Sequence, residues 1–113
     1  MMQKTETNTI IKKIAQRIKS NLNPDKIILF GSYAYGNPRD TSDIDILIVK
    51  DLDKNEIRKH RILAKRYLKD IMLKNDIDID VIIDSWERIH ERIRIGDLFM
   101  KEIIENGQVI YGK

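Results

Sequence analysis

Residues 26–49 read KIILFGSYAYGNPRDTSDIDILIV, and this stretch predicts two strands that are separated by a turn and a loop. Residues 26–30 form a short apolar run that ends at Gly31, which is typical of a strand buried on both faces. A glycine directly after such a strand lets the backbone turn sharply and approach a ligand closely. Residues 36–40 have the composition of a loop, and residues 43–49 form the second predicted strand.

Two Asp-x-Asp pairs are expected to place acidic side chains on one surface of the sheet. Asp43 and Asp45 share a face of the second strand because side chains alternate across a strand. The third predicted strand, residues 77–83, repeats the pattern with Asp78 and Asp80. If the two strands are neighbours, they present up to four carboxylates together. The alternate positions are apolar and face the predicted core: Ile44, Ile46, Ile48, Ile77, Ile79, Val81 and Ile83.

This grouping of carboxylates indicates a divalent cation. Bare carboxylates about 4 Å apart repel each other by roughly 4 kcal/mol per pair at an effective dielectric constant of about 20. A fold selected for stability alone would not place them together, whereas a hard cation turns the repulsion into ligation. Carboxylate oxygens suit Mg²⁺ or Mn²⁺. The alternative for a single Asp-x-Asp pair is a solvated strand end, where the carboxylates do no harm.

The turn after the first strand is the second candidate feature. Ser32 is expected to cap a short helix that continues to Gly36. Its hydroxyl and the free N–H groups of the turn could then cradle a phosphate. On its own, a Gly-Ser pair after a strand usually indicates only a turn.

The rest of the chain predicts helices that alternate with strands. The last three helices each begin at a side chain that can accept a hydrogen bond from the first turn. The expected elements are helices over about residues 7–21, from Asp53 to beyond Ile71, from Ser85 to about Arg94 and from Asp97 to about Glu105, with a terminal strand over residues 108–111. Together they predict one α/β domain over residues 1–113, a small mixed β-sheet packed with helices.

Composition excludes several classes of site. The 113 residues include no cysteine and two histidines, which excludes a disulfide scaffold, a thiol nucleophile, a cysteine-bound metal and a multi-histidine metal site. The longest apolar runs are far shorter than the roughly 20 residues that span a bilayer. The first nine residues lack the apolar core of a signal peptide. We therefore expect a cytoplasmic protein that does not contact a membrane.

The charge distribution favours an anionic ligand held beside a cation. The net charge is +3, and without the four paired aspartates the remaining 21 basic and 14 acidic residues give +7. A positively charged surface around a cluster of carboxylates favours binding of a divalent cation together with a phosphate-bearing molecule. The basic face of the long helix is interpreted as solvated, because exposed aromatic residues are not interleaved with it, and we expect no direct nucleic-acid binding.

The order and spacing of these features resemble a known family. The Gly-Ser pair at residues 31–32 is followed by ten residues and then by Asp-Ile-Asp at residues 43–45, which resembles the signature of the DNA polymerase β-type nucleotidyltransferase superfamily. Residues 30–36 and 42–49 are similar to the minimal nucleotidyltransferase family within it. The resemblance covers nearly the whole chain and implies the nucleotidyltransferase fold.

The resemblance also implies roles for individual residues. Asp43, Asp45 and Asp80 would be the catalytic carboxylates and the ligands of two Mg²⁺ ions, with Mn²⁺ as a substitute. Asp78 is the alternative to Asp80 as the third carboxylate. The Gly31-Ser32 pair would bind the β- and γ-phosphates of a nucleotide.

The resemblance further implies a reaction and a partner. Minimal nucleotidyltransferases commonly act as antitoxins of HEPN-domain ribonuclease toxins, and some transfer AMP from ATP to a toxin tyrosine. Because the chain ends just after the predicted catalytic core, we expect the acceptor hydroxyl on another molecule, which docks around Tyr33, Tyr35 and residues 37–42. Many members have arginine in place of Tyr35, so a phosphate or partner contact there is in question.

Two other hypotheses remain open, and the first of them also depends on the resemblance. The first is a non-catalytic antitoxin that neutralises its partner by forming a complex. The second is a glycosyltransferase-type Asp-x-Asp site, which is disfavoured because sugar-nucleotide folds need a much longer chain. The sequence leaves the oligomeric state and the base preference open.

Overall fold

The computed structural model of the chain describes residues 4–36 and 43–112. Within these ranges a 3₁₀ turn, Lys54–Glu56, leads into the third of five helices, and not one of the helices is long and apolar enough to cross a membrane. The helices are α1 (Lys4–Leu22), α2 (Ser32–Tyr35), α3 (Ile57–Asn75), α4 (Trp86–Arg94) and α5 (Leu98–Asn106). The strands are β1 (Lys26–Phe30), β2 (Ile44–Val49), β3 (Ile79–Asp84) and β4 (Gln108–Tyr111).

The four strands form one mixed sheet in the order β3-β2-β1-β4. β1 runs antiparallel to both β2 and β4, whereas β2 runs parallel to β3. The parallel pair is joined through α3, because parallel neighbours need a long crossover connection. This arrangement confirms the α/β class and the small mixed sheet that the sequence predicts.

Helices α1 and α3 cover one face of the sheet and form the larger core. The alternate positions of β2 that were predicted to face the core do so, and Ile44, Ile46 and Ile48 are fully buried there. Burying a side chain of this size stabilises the fold by about 1.5–3 kcal/mol. At the rim, the guanidinium of Arg17 in α1 donates to the Asp70 carboxylate in α3 at 2.6 Å, which joins the two helices.

Helices α4 and α5 cover the opposite face and form a smaller core. Its buried residues are Ile28, Phe30, Leu47, Val49, Ile89, Met100 and Ile103. Since side chains alternate along β2, Asp45 lies on this same face, and Asp43 immediately precedes the strand. Asp45 lies at the margin of this face, where Phe30 is its partner in the antiparallel register.

The ends of the elements follow local hydrogen bonds. The side chains of Ser85 and Asp97 accept hydrogen bonds from the first turns of α4 and α5, as predicted. The third strand begins at Ile79, two residues later than predicted. Asp78 lies just before the strand, where its carbonyl accepts a hydrogen bond from the Ile44 N–H and its carboxylate accepts one from the Ile79 N–H.

Candidate active site

Four aspartates meet at the end of the parallel strand pair β2 and β3. Asp45 and Asp80 are partners in the parallel register, so they lie side by side on the same face of the sheet. Asp43 and Asp78 immediately precede the two strands. We call these four residues the acidic array. The two predicted Asp-x-Asp pairs are therefore brought together on neighbouring strands.

Three members of the array approach one another closely. One carboxylate oxygen from each of Asp43, Asp78 and Asp80 lies within 4.8 Å of the others. Asp78 and Asp80 are exposed, whereas Asp45 is half-buried and also interacts with the Asp80 carboxylate. Both candidates for the third carboxylate, Asp80 and Asp78, thus lie beside Asp43.

The surroundings of the array disfavour its negative charge. Burial and the nearby Asp80 and Asp43 carboxylates raise the pKa of Asp45 from 3.8 to about 6. Burial, followed by Asp80 and Asp78, raises the pKa of Asp43, and the positive charge of Lys65 opposes that rise. Burial and repulsion between the carboxylates therefore outweigh the nearby positive charge of Lys65.

The turn between β1 and α2 lies directly against Asp45. Gly31 has a φ of +76°, which L-residues rarely adopt, and a Cβ atom at this position would lie 2.2 Å from Oδ2 of Asp45. Only glycine therefore lets the turn approach the carboxylate. Gly31 occupies the N-cap position of α2, and Ser32 is the first residue of the helix. The prediction that Ser32 caps this helix was wrong, because the chain enters the helical conformation one residue earlier.

The two tyrosines of α2 have different environments. Tyr33 is partly buried against the larger core, whereas Tyr35 is 41% exposed. Burial raises the pKa of Tyr35, and the charges of Glu102 and Asp45 add to the rise. Tyr35 therefore lies between the array and α5. Residues 37–42, the other predicted part of the docking rim, lie outside the described residues.

Two contacts near the site were missed from the sequence. Lys65 of α3 places its Nζ 3.5 Å from Oδ1 of Asp78. Phe99 of α5 packs edge-on against Phe30, with 5.8 Å between ring centroids and an interplanar angle of 81°, although it is 55% exposed. Lys65 directly follows Ala64, which is fully buried. The helical periodicity of α3 could therefore have indicated that Lys65 lies at the border of the buried face of the helix.

The chemistry of the donors fits a hard divalent cation. The array offers carboxylate oxygens, which are the ligands of Mg²⁺ and Mn²⁺, and within the described ranges no histidine joins the cluster. The absence of a side chain at Gly31 lets the Asp45 carboxylate lie directly against the backbone of the turn. A cation and a phosphate could therefore be held side by side.

Comparisons with known proteins agree with this arrangement. The profile of the family described as "Polymerase beta, Nucleotidyltransferase" matches residues 12–113. A protein of Methanocaldococcus jannaschii, named as a candidate protein adenylyltransferase, is 36% identical over 104 residues, which cover 92% of this chain and 89% of that protein.

Two solved structures are similar in fold. A crystal structure of a candidate nucleotidyltransferase from Sulfolobus solfataricus has a TM-score of 0.63 at 20% identity, and the match covers 93% of this chain and 79% of that one. A toxin–antitoxin crystal structure with AMP-PNP has a TM-score of 0.59 at 21% identity, and the match covers 91% and 73%. At these identities the likeness shows the fold alone.

Proposed function

Since the chain belongs to the polymerase β nucleotidyltransferase family, we propose that it transfers AMP from ATP to a hydroxyl group of a partner protein. The observation that carries the proposal is the array, in which Asp45 lies between its register partner Asp80 and the Gly31 turn. The name of the M. jannaschii relative supports adenylyl transfer to a protein. The AMP-PNP in a structure of the same fold supports ATP as the nucleotide.

Within the array, Asp43, Asp45 and Asp80 would hold two divalent cations, Mg²⁺ or Mn²⁺. When bound, such an ion neutralises the triphosphate and lowers the pKa of an attacking hydroxyl. The acidic residues would orient the bound groups. The protein itself forms no covalent bond in such a reaction, so positioning and charge stabilisation are its main contribution. Asp80 is exposed, so it is accessible to the acceptor and could accept its hydroxyl proton.

The Gly31-Ser32 turn would hold the β- and γ-phosphates. Because Gly31 has no Cβ atom, the backbone of the turn lies against the Asp45 carboxylate, so phosphates bound at the turn would lie beside a proposed metal ligand. The acceptor oxygen then attacks the α-phosphorus, the bond from that phosphorus to the β-phosphate oxygen breaks, and pyrophosphate leaves. The phosphate site and the acid site are therefore required together.

The acceptor that we propose is a tyrosine of a HEPN-domain ribonuclease toxin, and the chain would act as its antitoxin. The toxin–antitoxin structures of the same fold support a toxin as the partner. The exposed Tyr35 beside the array is part of the surface on which the acceptor would dock. An acceptor oxygen must come within about 3–3.5 Å of the α-phosphorus, so the partner has to cover this rim.

Mass spectrometry of the partner tests the proposal. A HEPN-domain ribonuclease, as the proposed partner, is incubated with ATP, Mg²⁺ and the wild-type protein or the Asp43→Asn/Asp45→Asn variant. We expect AMP adducts on a partner tyrosine with the wild type alone, and loss of toxin activity with the adduct. A wild type that leaves no adduct, and a variant that neutralises the partner equally well, would establish the binding antitoxin instead.

A further inference from the structure

Lys65 brings a positive charge to the edge of the acidic array. Its Nζ lies 3.5 Å from Oδ1 of Asp78, with the two side chains 40% and 52% exposed. Its charge also acts on Asp43, the other carboxylate that precedes a strand. Among the ion pairs of the described residues, this is the one that involves the array.

The packing of α3 determines where Lys65 lies. Ala64 and Leu68 are fully buried in the larger core, and α3 packs against β3, whose first residue follows Asp78. Lys65 is therefore fixed on the flank of the helix that borders the array. Lys69, one turn further along, is exposed and forms no ion pair with the described part of the chain, so it is a natural control.

The energetic setting of this pair differs from that of an ordinary surface ion pair. An isolated exposed pair contributes little, because solvent screens it and two long side chains must be ordered. Here the lysine pairs with Asp78 and its charge also acts on Asp43, so one cation reduces more than one unfavourable interaction within the array. Its removal should therefore cost more than the loss of one exposed contact.

We propose that Lys65 is a positioning residue that serves as the counter-ion of the acidic array when no metal is bound. It holds Asp78 and leaves Asp80 as the third-strand carboxylate beside Asp43 and Asp45. The metal part of this inference rests on the proposed function. It follows that Lys65 and a divalent cation oppose each other electrostatically: the lysine stabilises the metal-free protein and weakens cation binding.

The test compares melting temperatures in EDTA and across a Mn²⁺ titration. In EDTA, Lys65→Met should lower the melting temperature by about 2–5 °C, whereas Lys65→Arg and the control Lys69→Met should stay within about 1 °C of the wild type. Mn²⁺ should raise the melting temperature of Lys65→Met more than that of the wild type. Its Mn²⁺ dissociation constant should fall about three- to tenfold, since a repelling charge has been removed.

An Asp78→Asn background separates the counter-ion role from simple packing. There, Lys65→Met should lose at least half of its effect in EDTA. Equal melting temperatures of Lys65→Met and wild type in EDTA would overturn the proposal. So would a decrease of the same size with and without saturating Mn²⁺, because that result describes a packing contact alone.

The two proposals fail in different ways. If Mn²⁺ does not raise the melting temperature of the wild type, the metal site and the proposed function fail. The proposed competition between Lys65 and the metal then fails with them. The counter-ion role in the metal-free protein is then decided by the EDTA comparison and the Asp78→Asn background. If the wild type binds Mn²⁺ and Lys65→Met binds it no more tightly, the competition is overturned while the proposed function stands.

Discussion

Asp45 of β2 and Asp80 of β3 are direct partners in the parallel register of two neighbouring strands. The two side chains therefore lie side by side on one face of the sheet. Asp45 is half-buried at this position, and its pKa is raised to about 6 by burial and by the carboxylates of Asp80 and Asp43. The sheet therefore holds the Asp45 and Asp80 carboxylates close together although their charges repel.

The raised pKa of Asp45 predicts how the stability of the metal-free protein depends on pH. Its folded-state pKa of about 6 exceeds the ordinary value of 3.8, so the protonated carboxyl stabilises the fold below about pH 4. That stabilisation is lost as the pH rises through about 6. In EDTA, the melting temperature of Asp45→Asn should exceed that of wild type by a margin that grows from pH 4 to pH 7. Parallel curves for the two proteins would contradict the assignment.

Gly31→Ala should destabilise the protein by about 2–4 kcal/mol, because the new Cβ atom adds backbone strain and displaces the Asp45 carboxylate. Gly96→Ala is the matched control, since Gly96 has a φ of +102° and open space around it, and should cost about 1–2 kcal/mol. In an Asp45→Ala background the excess cost of Gly31→Ala should disappear. Urea unfolding of the wild type and the four variants measures these costs, and equal costs at the two glycines would refute the close approach.

Arg88→Met should destabilise the fold, although Arg88 lies away from the acidic array. Arg88 donates to the carboxylate of Asp84, which is 6% exposed, and to the carbonyl of Leu52. Its removal leaves a buried carboxylate with Arg92 at 3.7 Å, and we expect a loss of about 2–4 kcal/mol. Arg94→Met, which breaks an exposed pair with Glu91, should leave the free energy of unfolding almost unchanged in the same urea titration. Similar losses in both variants would count against this role of Asp84.

The assignment of Asp80 over Asp78 is tested by the rate of AMP transfer to the partner. Asp80→Asn should lower the rate at least tenfold, which corresponds to about 1.4 kcal/mol of transition-state stabilisation. Asp78→Asn should lower it less, because Asp78 is paired with Lys65. Single-turnover assays with labelled ATP give both rates. If Asp80→Asn keeps the wild-type rate, Asp80 is not the third catalytic carboxylate and Asp78 takes its place in the account.

The alternation of side chains made much of the site predictable from the sequence. The spacing of Asp43 with Asp45, and of Asp78 with Asp80, places each pair on one strand face whatever the remaining fold. The Gly31 turn was predictable because it follows a buried strand. The pairing of Asp45 with Asp80 required the assumption that the second and third strands are neighbours, and the structure confirms that they are.

Contacts between distant elements could not be derived in the same way. The ion pair between Lys65 and Asp78 depends on how α3 packs across the sheet, and the contact between Phe30 and Phe99 depends on the path of α5. Periodicity indicates which face of an element is buried but not which neighbour it meets. The position of Ser32 was mispredicted for a local reason: Gly31 already occupies the cap position.

Calorimetry of ATP binding tests the central claim, that the acidic array and the Gly31 turn hold a divalent cation together with a nucleotide. Wild-type protein should bind ATP in the presence of Mg²⁺ or Mn²⁺ and should not bind it in EDTA. Asp43→Asn/Asp45→Asn should abolish the metal-dependent binding and, in EDTA, should melt no lower than wild type, since two repelling charges have been removed. Equal ATP affinity of the wild type and the double variant in Mg²⁺ would contradict the account.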